Sequence, residues 1–167
     1  LLGHKQELII TEVHNIFLFL ISPKICLGLI FSEVHNVLPH TQGIIVHDCW
    51  GSYWKYPDVT HAICCAHLLR ELNGVIENHP EQTWAVRFKK LLLDMKKVRD
   101  KALLSNKNEV SYYHRHKFDM EYDSIIKTAY EENPLPETPA KKRGRKKKGK
   151  VLNLICRLDN YKESVCL

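Results

Sequence analysis

No stretch of this 167-residue chain is apolar for long enough to cross a bilayer. The longest uninterrupted apolar run, Ile16 to Ile21, falls far short of the roughly 20 residues that a spanning helix needs. Pro23 and Lys24 part it from the next apolar stretch. No secretory signal opens the chain, because "LLGHKQELII" lacks both a basic start and a small-residue cleavage site. No C-x-x-C pair occurs among the six cysteines, Cys26, Cys49, Cys64, Cys65, Cys156 and Cys166. Their irregular spacing argues against a disulfide framework, so reduced thiols in a cytosolic compartment are expected. No Asp precedes Asp48. The first residue is Leu rather than Met, and the chain is expected to be a piece of a longer or decayed reading frame.

What is present is a globular composition, 44% hydrophobic and 26% charged, in a length that one domain with a real core can fill. The net charge of +6 is unevenly placed. The run "KKRGRKKKGK", Lys141 to Lys150, holds eight of the 25 Lys and Arg residues, which leaves 17 basic against 19 acidic residues elsewhere. The basic character therefore belongs to one segment, and phosphates are the natural partner of such a segment. A solvated linker is the plainer reading of the same run.

Asn15–Ser22 reads as a buried strand ended by Pro23, and Ile25–Leu38 as a helix with Leu27, Ile30, Val34 and Leu38 on one face. "GIIVHD" (Gly43–Asp48) reads as a second buried strand and "THAICC" (Thr60–Cys65) as a third. From Ala66 the spacing of Leu68, Leu69, Leu72, Val75 and Ile76 is helical. Buried strands interleaved with a helix argue for a parallel or mixed α/β sheet. Trp84, Phe88, Leu91, Met95, Val98 and Ala102 form a heptad-like stripe, read as a long helix packed on its own domain or as a coiled-coil seam between copies. A further helix spans about Ser111 to Tyr130. Pro134, Pro136 and Pro139 then rule out regular structure before the basic run. Helical spacing resumes with Leu152, Ile155, Leu158 and Tyr161.

Two stretches carry chemistry. Asp48 ends a strand at the open edge of an α/β sheet, where ligands commonly bind, and Trp50, Tyr53, Trp54 and Tyr56 follow it. The acid either holds a hard cation or caps the next turn, and the aromatics either flank a ligand or pack the strand end. In "HAICCAHLLREL" the residues His61, Cys64, Cys65 and His67 are of zinc-ligating types, with His47 and Cys49 upstream. Their spacing is poor for zinc, and none is expected. His67 and Arg70, three apart, share a helix face and could present a donor and a cation to an anion near Asp48.

The segment "GIIVHDCWGSYWKYPDVTHAICCAHLLREL" resembles the insertion sequence 66 family of bacterial transposases. Family members carry a strand ending in His-Asp, an aromatic-rich segment, then His-Ala-x-Cys-x-Ala-His-x-Leu-Arg-Glu-Leu. A long helix, "YDSII", "ENP" with further prolines, a basic linker and "NLICRLDNYKESV" follow in the same order, so the likeness spans roughly Gly43 to Val165. It implies an α/β fold with a partial RNase H-like sheet and a large helical insertion. The implied organisation is an RNase H-like core over 1–80, a helical insertion over 81–132, a Pro-rich and basic linker over 133–150, and the start of a C-terminal helix over 151–167. The implied activity is DNA transposition by three carboxylates and two metal ions, Mg²⁺ being the expected cofactor. Asp48 matches the second carboxylate and a metal ligand. Cys64 and His67 match the Cys-x-x-His pair and Arg70 the adjacent arginine, with Asp48, His67 and Arg70 in catalytic roles and Cys64 in a structural one. Lys141, Lys142, Arg143, Arg145, Lys146, Lys147, Lys148 and Lys150 would bind DNA. A homo-oligomer through the helical insertion and a cytoplasmic, DNA-associated location are further implications, with no membrane partner. The sequence departs from the pattern in two places. The first strand carries no Asp, and no Asn-Asn-x-Ala-Glu-Arg segment with the third carboxylate is present. The chain is thus expected to be inactive alone; a non-catalytic DNA-binding or helical interaction module is the alternative.

Overall fold

A computed structural model describes residues 25–27, 43–134 and 149–167. Two compact units divide it: Leu1–Leu68 with Glu163–Leu167, and Leu69–Lys162. The expected strand over Asn15–Ser22 and the residues Lys141 to Lys148 lie outside the described residues.

In the first unit three parallel strands, β1 (Ile25–Leu27), β2 (Ile44–His47) and β3 (Thr60–Ile63), form a sheet in the order β1-β2-β3. Ile25 pairs with Ile44, and Ile44 with Thr60. Ile25–Leu27 were expected to begin a helix, and the structure corrects this. A short apolar run satisfies helix and strand spacing alike, and here the pairing with β2 decides. The crossover from β2 to β3 takes only residues 48–59 and contains one 3₁₀ turn, Tyr53–Lys55. A dozen residues is about the shortest such crossover. It closes because it carries its own apolar groups: Tyr53 and Val59 are buried on Ile45, with Tyr56 packed beside them. Helix α1 (Cys65–Asn78) follows β3 after the single residue Cys64 and continues past the division at Leu68.

The second unit is helical. Its centre is an antiparallel hairpin of α2 (Thr83–Leu104) and α3 (Tyr112–Glu132). The inner half of the expected stripe, Trp84, Phe88 and Leu91, is buried. Phe88 meets Tyr122 edge-to-face at 4.9 Å, so that half packs within the chain. Arg87 donates to Thr128 Oγ1 at 3.2 Å, and Thr83 bonds Glu132, which sets the antiparallel register. The first turn of α2 has a second lock. Gln82 is buried, and its side-chain oxygen accepts from Trp84 Nε1 at 2.6 Å and from Asn133 Nδ2 at 2.5 Å. Gln82→Leu strands the buried Trp84 N–H and removes one of the two acceptors of Asn133, which also donates to the Ala129 carbonyl at 3.0 Å. It should cost about 1–3 kcal/mol in urea denaturation, while Gln82→Glu, which keeps an acceptor, should cost less. Equal losses in the two variants would show that the shape of Gln82 matters and its oxygen does not.

Helix α4 (Lys150–Asn160) buries Leu152, Leu154, Ile155 and Leu158. Tyr122 Oη donates to the Leu158 carbonyl at 2.7 Å, Tyr130 Oη to Asp159 at 2.9 Å, and Arg157 pairs with Glu71. Lys150 opens this helix, one residue before the expected boundary, because Gly149 takes the extended capping position and Asn153 N–H reaches its carbonyl at 3.0 Å. The helix ends at Asn160, with Tyr161 N–H bonded back to the Arg157 carbonyl, and the short α5 (Lys162–Cys166) follows. No helix among the described residues is long and apolar enough to cross a membrane.

Candidate functional site at the carboxyl end of the sheet

Strand β2 alternates, with Ile45 and His47 buried and Ile44 and Val46 half-buried. The alternation turns His47 inward and leaves Asp48, the next residue, exposed just past the strand end. Because β2 and β3 are parallel and in register, their carboxyl ends lie side by side. The Cys64 N–H donates to the His47 carbonyl at 2.8 Å, which sets Cys64 beside Asp48 along the sheet edge. Cys64 is buried and its carbonyl accepts from the N–H groups of His67 (3.1 Å) and Leu68 (3.2 Å), closing the first turn of α1. Asp48, Cys64 and His67 thus belong to one end of one sheet. Arg70 is exposed, one helical turn further along α1. His67 Nδ1 is buried without a hydrogen-bond partner.

The Asp48 carboxylate accepts from Trp50 N–H at 3.1 Å, so one of its oxygens caps the turn after β2. Cys49 within that turn has φ of 70°, a left-handed conformation that costs a side-chain-bearing residue about 1–2 kcal/mol. The conformation is held from below: Cys49 N–H donates to His47 Nδ1 at 3.0 Å. That bond fixes the tautomer, since an accepting Nδ1 carries no proton. His47 then donates from Nε2 to His61 Nδ1 at 3.1 Å, and His61 donates from Nε2 to the Tyr56 carbonyl at 2.9 Å. The result is a directed chain of two neutral imidazoles with every ring nitrogen engaged. Burial, the neighbouring His61 and, in the opposite sense, the Asp48 carboxylate act on His47 and bring its pKa down to about 4.

The aromatics belong to this pair rather than to the acid. Tyr53 stacks on His47 at 4.8 Å, and Trp54 lies against His47 at 5.0 Å and against His61 at 4.6 Å. Trp50 is 65% exposed and touches only the edge of this group, at 6.2 Å from Tyr53. For Tyr53 and Trp54 the packing reading therefore holds. By residue type alone His47 and His61 are metal-ligand candidates. The two-residue alternation of β2 was the signal that His47 faces the same way as Ile45, but nothing along the chain indicated that His61, fourteen residues on, would meet it.

Among the described residues no group of three or more His, Cys, Asp or Glu is disposed to hold a metal ion. Asp48 is a single carboxylate with one oxygen already accepting a backbone hydrogen bond. Mg²⁺ needs near-octahedral oxygen donors and more than one such group or substrate phosphates. The donor set described here does not by itself fit that ion. Cys64 is a free, buried thiol.

Residues 31–166 match the protein family described as "Transposase IS66 family". No curated protein and no solved structure matches the chain.

Proposed function

Because this chain belongs to the IS66 family of transposases, we propose that it is the part of a DNA transposase that carries one of the catalytic carboxylates, Asp48, on an RNase H-like core. The observation that carries this reading is the position of Asp48. It stands exposed at the carboxyl end of β2, beside the end of the parallel strand β3, where an α/β sheet opens to ligands. His67, in the first turn of α1 at the same sheet end, is assigned a supporting polar role there. Arg70 is assigned a role toward a DNA phosphate, because an exposed guanidinium suits that geometry. The family chemistry is metal-dependent phosphoryl transfer, and metal ions when bound would polarise the scissile phosphate. Among the described residues these groups do not complete a metal site. The basic run Lys141–Lys150 supplies sequence-independent affinity for the DNA backbone. The setting proposed is the bacterial cytoplasm, in association with DNA.

The chain alone is expected neither to cleave nor to join DNA. No Asp precedes Asp48 and no Asn-Asn-x-Ala-Glu-Arg segment is present, so two of the three carboxylates of the resemblance are missing from these residues. A strand-transfer assay with Mg²⁺ or Mn²⁺ on a matched element end tests this. Turnover that disappears in Asp48→Ala would overturn the inactivity and show that other groups complete the site. Weak Mn²⁺ binding, followed by electron paramagnetic resonance and lost in Asp48→Ala, supports the assignment of Asp48. Binding indifferent to that substitution removes Asp48 from the site.

A further inference from the structure

Between Lys96 and Phe118, where α2 ends and α3 begins, the chain carries seven Lys and Arg and two acids. The segment is +5 in a chain of +6, and with +8 in the run Lys141–Lys150 the remainder is −7. The fold proper is therefore not evenly neutral: its positive charge is gathered at the tip of the helical hairpin. The two acids of the segment are already engaged. Asp100 is held by Lys96 at 2.5 Å and by Arg99, and Glu109 lies 3.7 Å from Arg115. The next acids along α3 are Asp119, Glu121 and Asp123; Lys162 holds Asp119 at 2.5 Å and Asp123 at 2.6 Å, while Glu121 is set against the cations of the tip. Lys101, Lys107 and Lys117 are exposed and have no carboxylate partner among the described residues. Between these cations stand aromatic rings turned to solvent, Tyr112 at 75% and Tyr113 at 71% exposure. Tyr112 lies parallel to His116 at 5.9 Å, and Tyr113, His116, Lys117, Met120 and the acid Glu121 line a shallow recess beside it.

We propose that this hairpin tip is a second DNA-binding surface, distinct from the basic run, that grips the backbone of duplex DNA. Lys101, Lys107, Arg115 and Lys117 meet phosphates, and Tyr112 and Tyr113 lie against the sugar edge. Charge selects this occupant. The centre of a protein interface is depleted in Lys, whereas a cluster of cations with interleaved aromatics matches a polyanion. The partner class rests on the transposase reading above; the surface rests on the hairpin alone. Binding here positions a duplex without reading its sequence.

The test uses the full chain with all eight basic residues of Lys141–Lys150 replaced by Gln, titrated with a random-sequence duplex by fluorescence anisotropy over a range of salt. Residual binding is expected. Adding Lys101→Gln, Lys107→Gln, Arg115→Gln and Lys117→Gln should weaken it by about tenfold or more and flatten the log–log salt slope by about 0.9 for each phosphate no longer neutralised. Far-UV circular dichroism should be unchanged, since the four side chains are exposed. If the run-substituted chain holds no DNA, or the added substitutions leave affinity and slope alone, the inference is wrong while the affinity of the basic run stands. A failure of the strand-transfer reading at Asp48 would not move this readout. Self-association in sedimentation, abolished by Tyr112→Ser with Tyr113→Ser at unchanged DNA affinity, would instead give the face to a second copy and overturn the proposal.

Discussion

Trp84→Ala should destabilise the helical unit by about 3–5 kcal/mol, the range for emptying a buried large aromatic site. Trp84 is fully buried, as are Ala85 and Phe88 beside it, so the space it leaves has rigid walls. The substitution also frees the Gln82 oxygen from one of its two donors. A domain of this size is stable by only about 5–15 kcal/mol, so about a fifth or more of the total is at stake. In urea denaturation followed by helical dichroism, the midpoint should fall with little change in slope. Trp84→Phe should lose distinctly less, because it retains most of the apolar volume and gives up the indole donor. A loss below about 1 kcal/mol for the alanine variant would mean that the hairpin does not close on this residue.

Acidification should destabilise the sheet unit through His47. In the folded chain its pKa is lowered to about 4 from the ordinary 6.5, by burial first and by His61 second. The unfolded chain therefore binds more protons between those two values. The contribution of neutral His47 is complete above about pH 6.5 and is lost as the pH falls toward 4. At about 1.4 kcal/mol per unit, a shift of this size is worth roughly 3–4 kcal/mol. The structural reason is directional: Nδ1 must stay bare to accept from Cys49 N–H, so a proton there breaks the bond that holds the left-handed turn beneath Asp48. Imidazole proton resonances give a direct check. One histidine should titrate near 4, and it should be the one removed by His47→Gln. If that resonance titrates near 6.5, the buried chain of neutral rings does not exist as described. The same substitution should disturb the position of Asp48 by releasing Cys49, without touching the carboxylate itself.

Local order was legible in the residues alone. The apolar run of "GIIVHD", the spacing of Leu68, Leu72 and Val75, and the stripe through Trp84, Phe88 and Leu91 each repeat with the period of one element. Strands β2 and β3, helices α1 to α3 and the start of α4 follow from them. So did the placement of Asp48 at a strand end, and the family, because its motifs are contiguous stretches. Ile25–Leu27 went the other way because a three-residue strand has no period of its own; its pairing with β2 decided it. The site differs from its reading for a similar reason. The acid and the aromatics sit next to each other in sequence, yet Trp54 packs on His47 and His61, which only the parallel register of β2 and β3 brings together. Charge behaves in the same way. A sum along the chain makes everything outside the basic run nearly neutral, whereas antiparallel pairing of α2 and α3 brings Lys101 and Lys107 toward Arg115 and Lys117 at one end, and Lys162 folds back to occupy Asp119 and Asp123. Periodicity is written between neighbours a few residues apart and survives in the sequence. Which ring meets which histidine, and which acid is taken by which lysine, depends on faces brought together across 14 to 43 residues, and only the tertiary structure decides that.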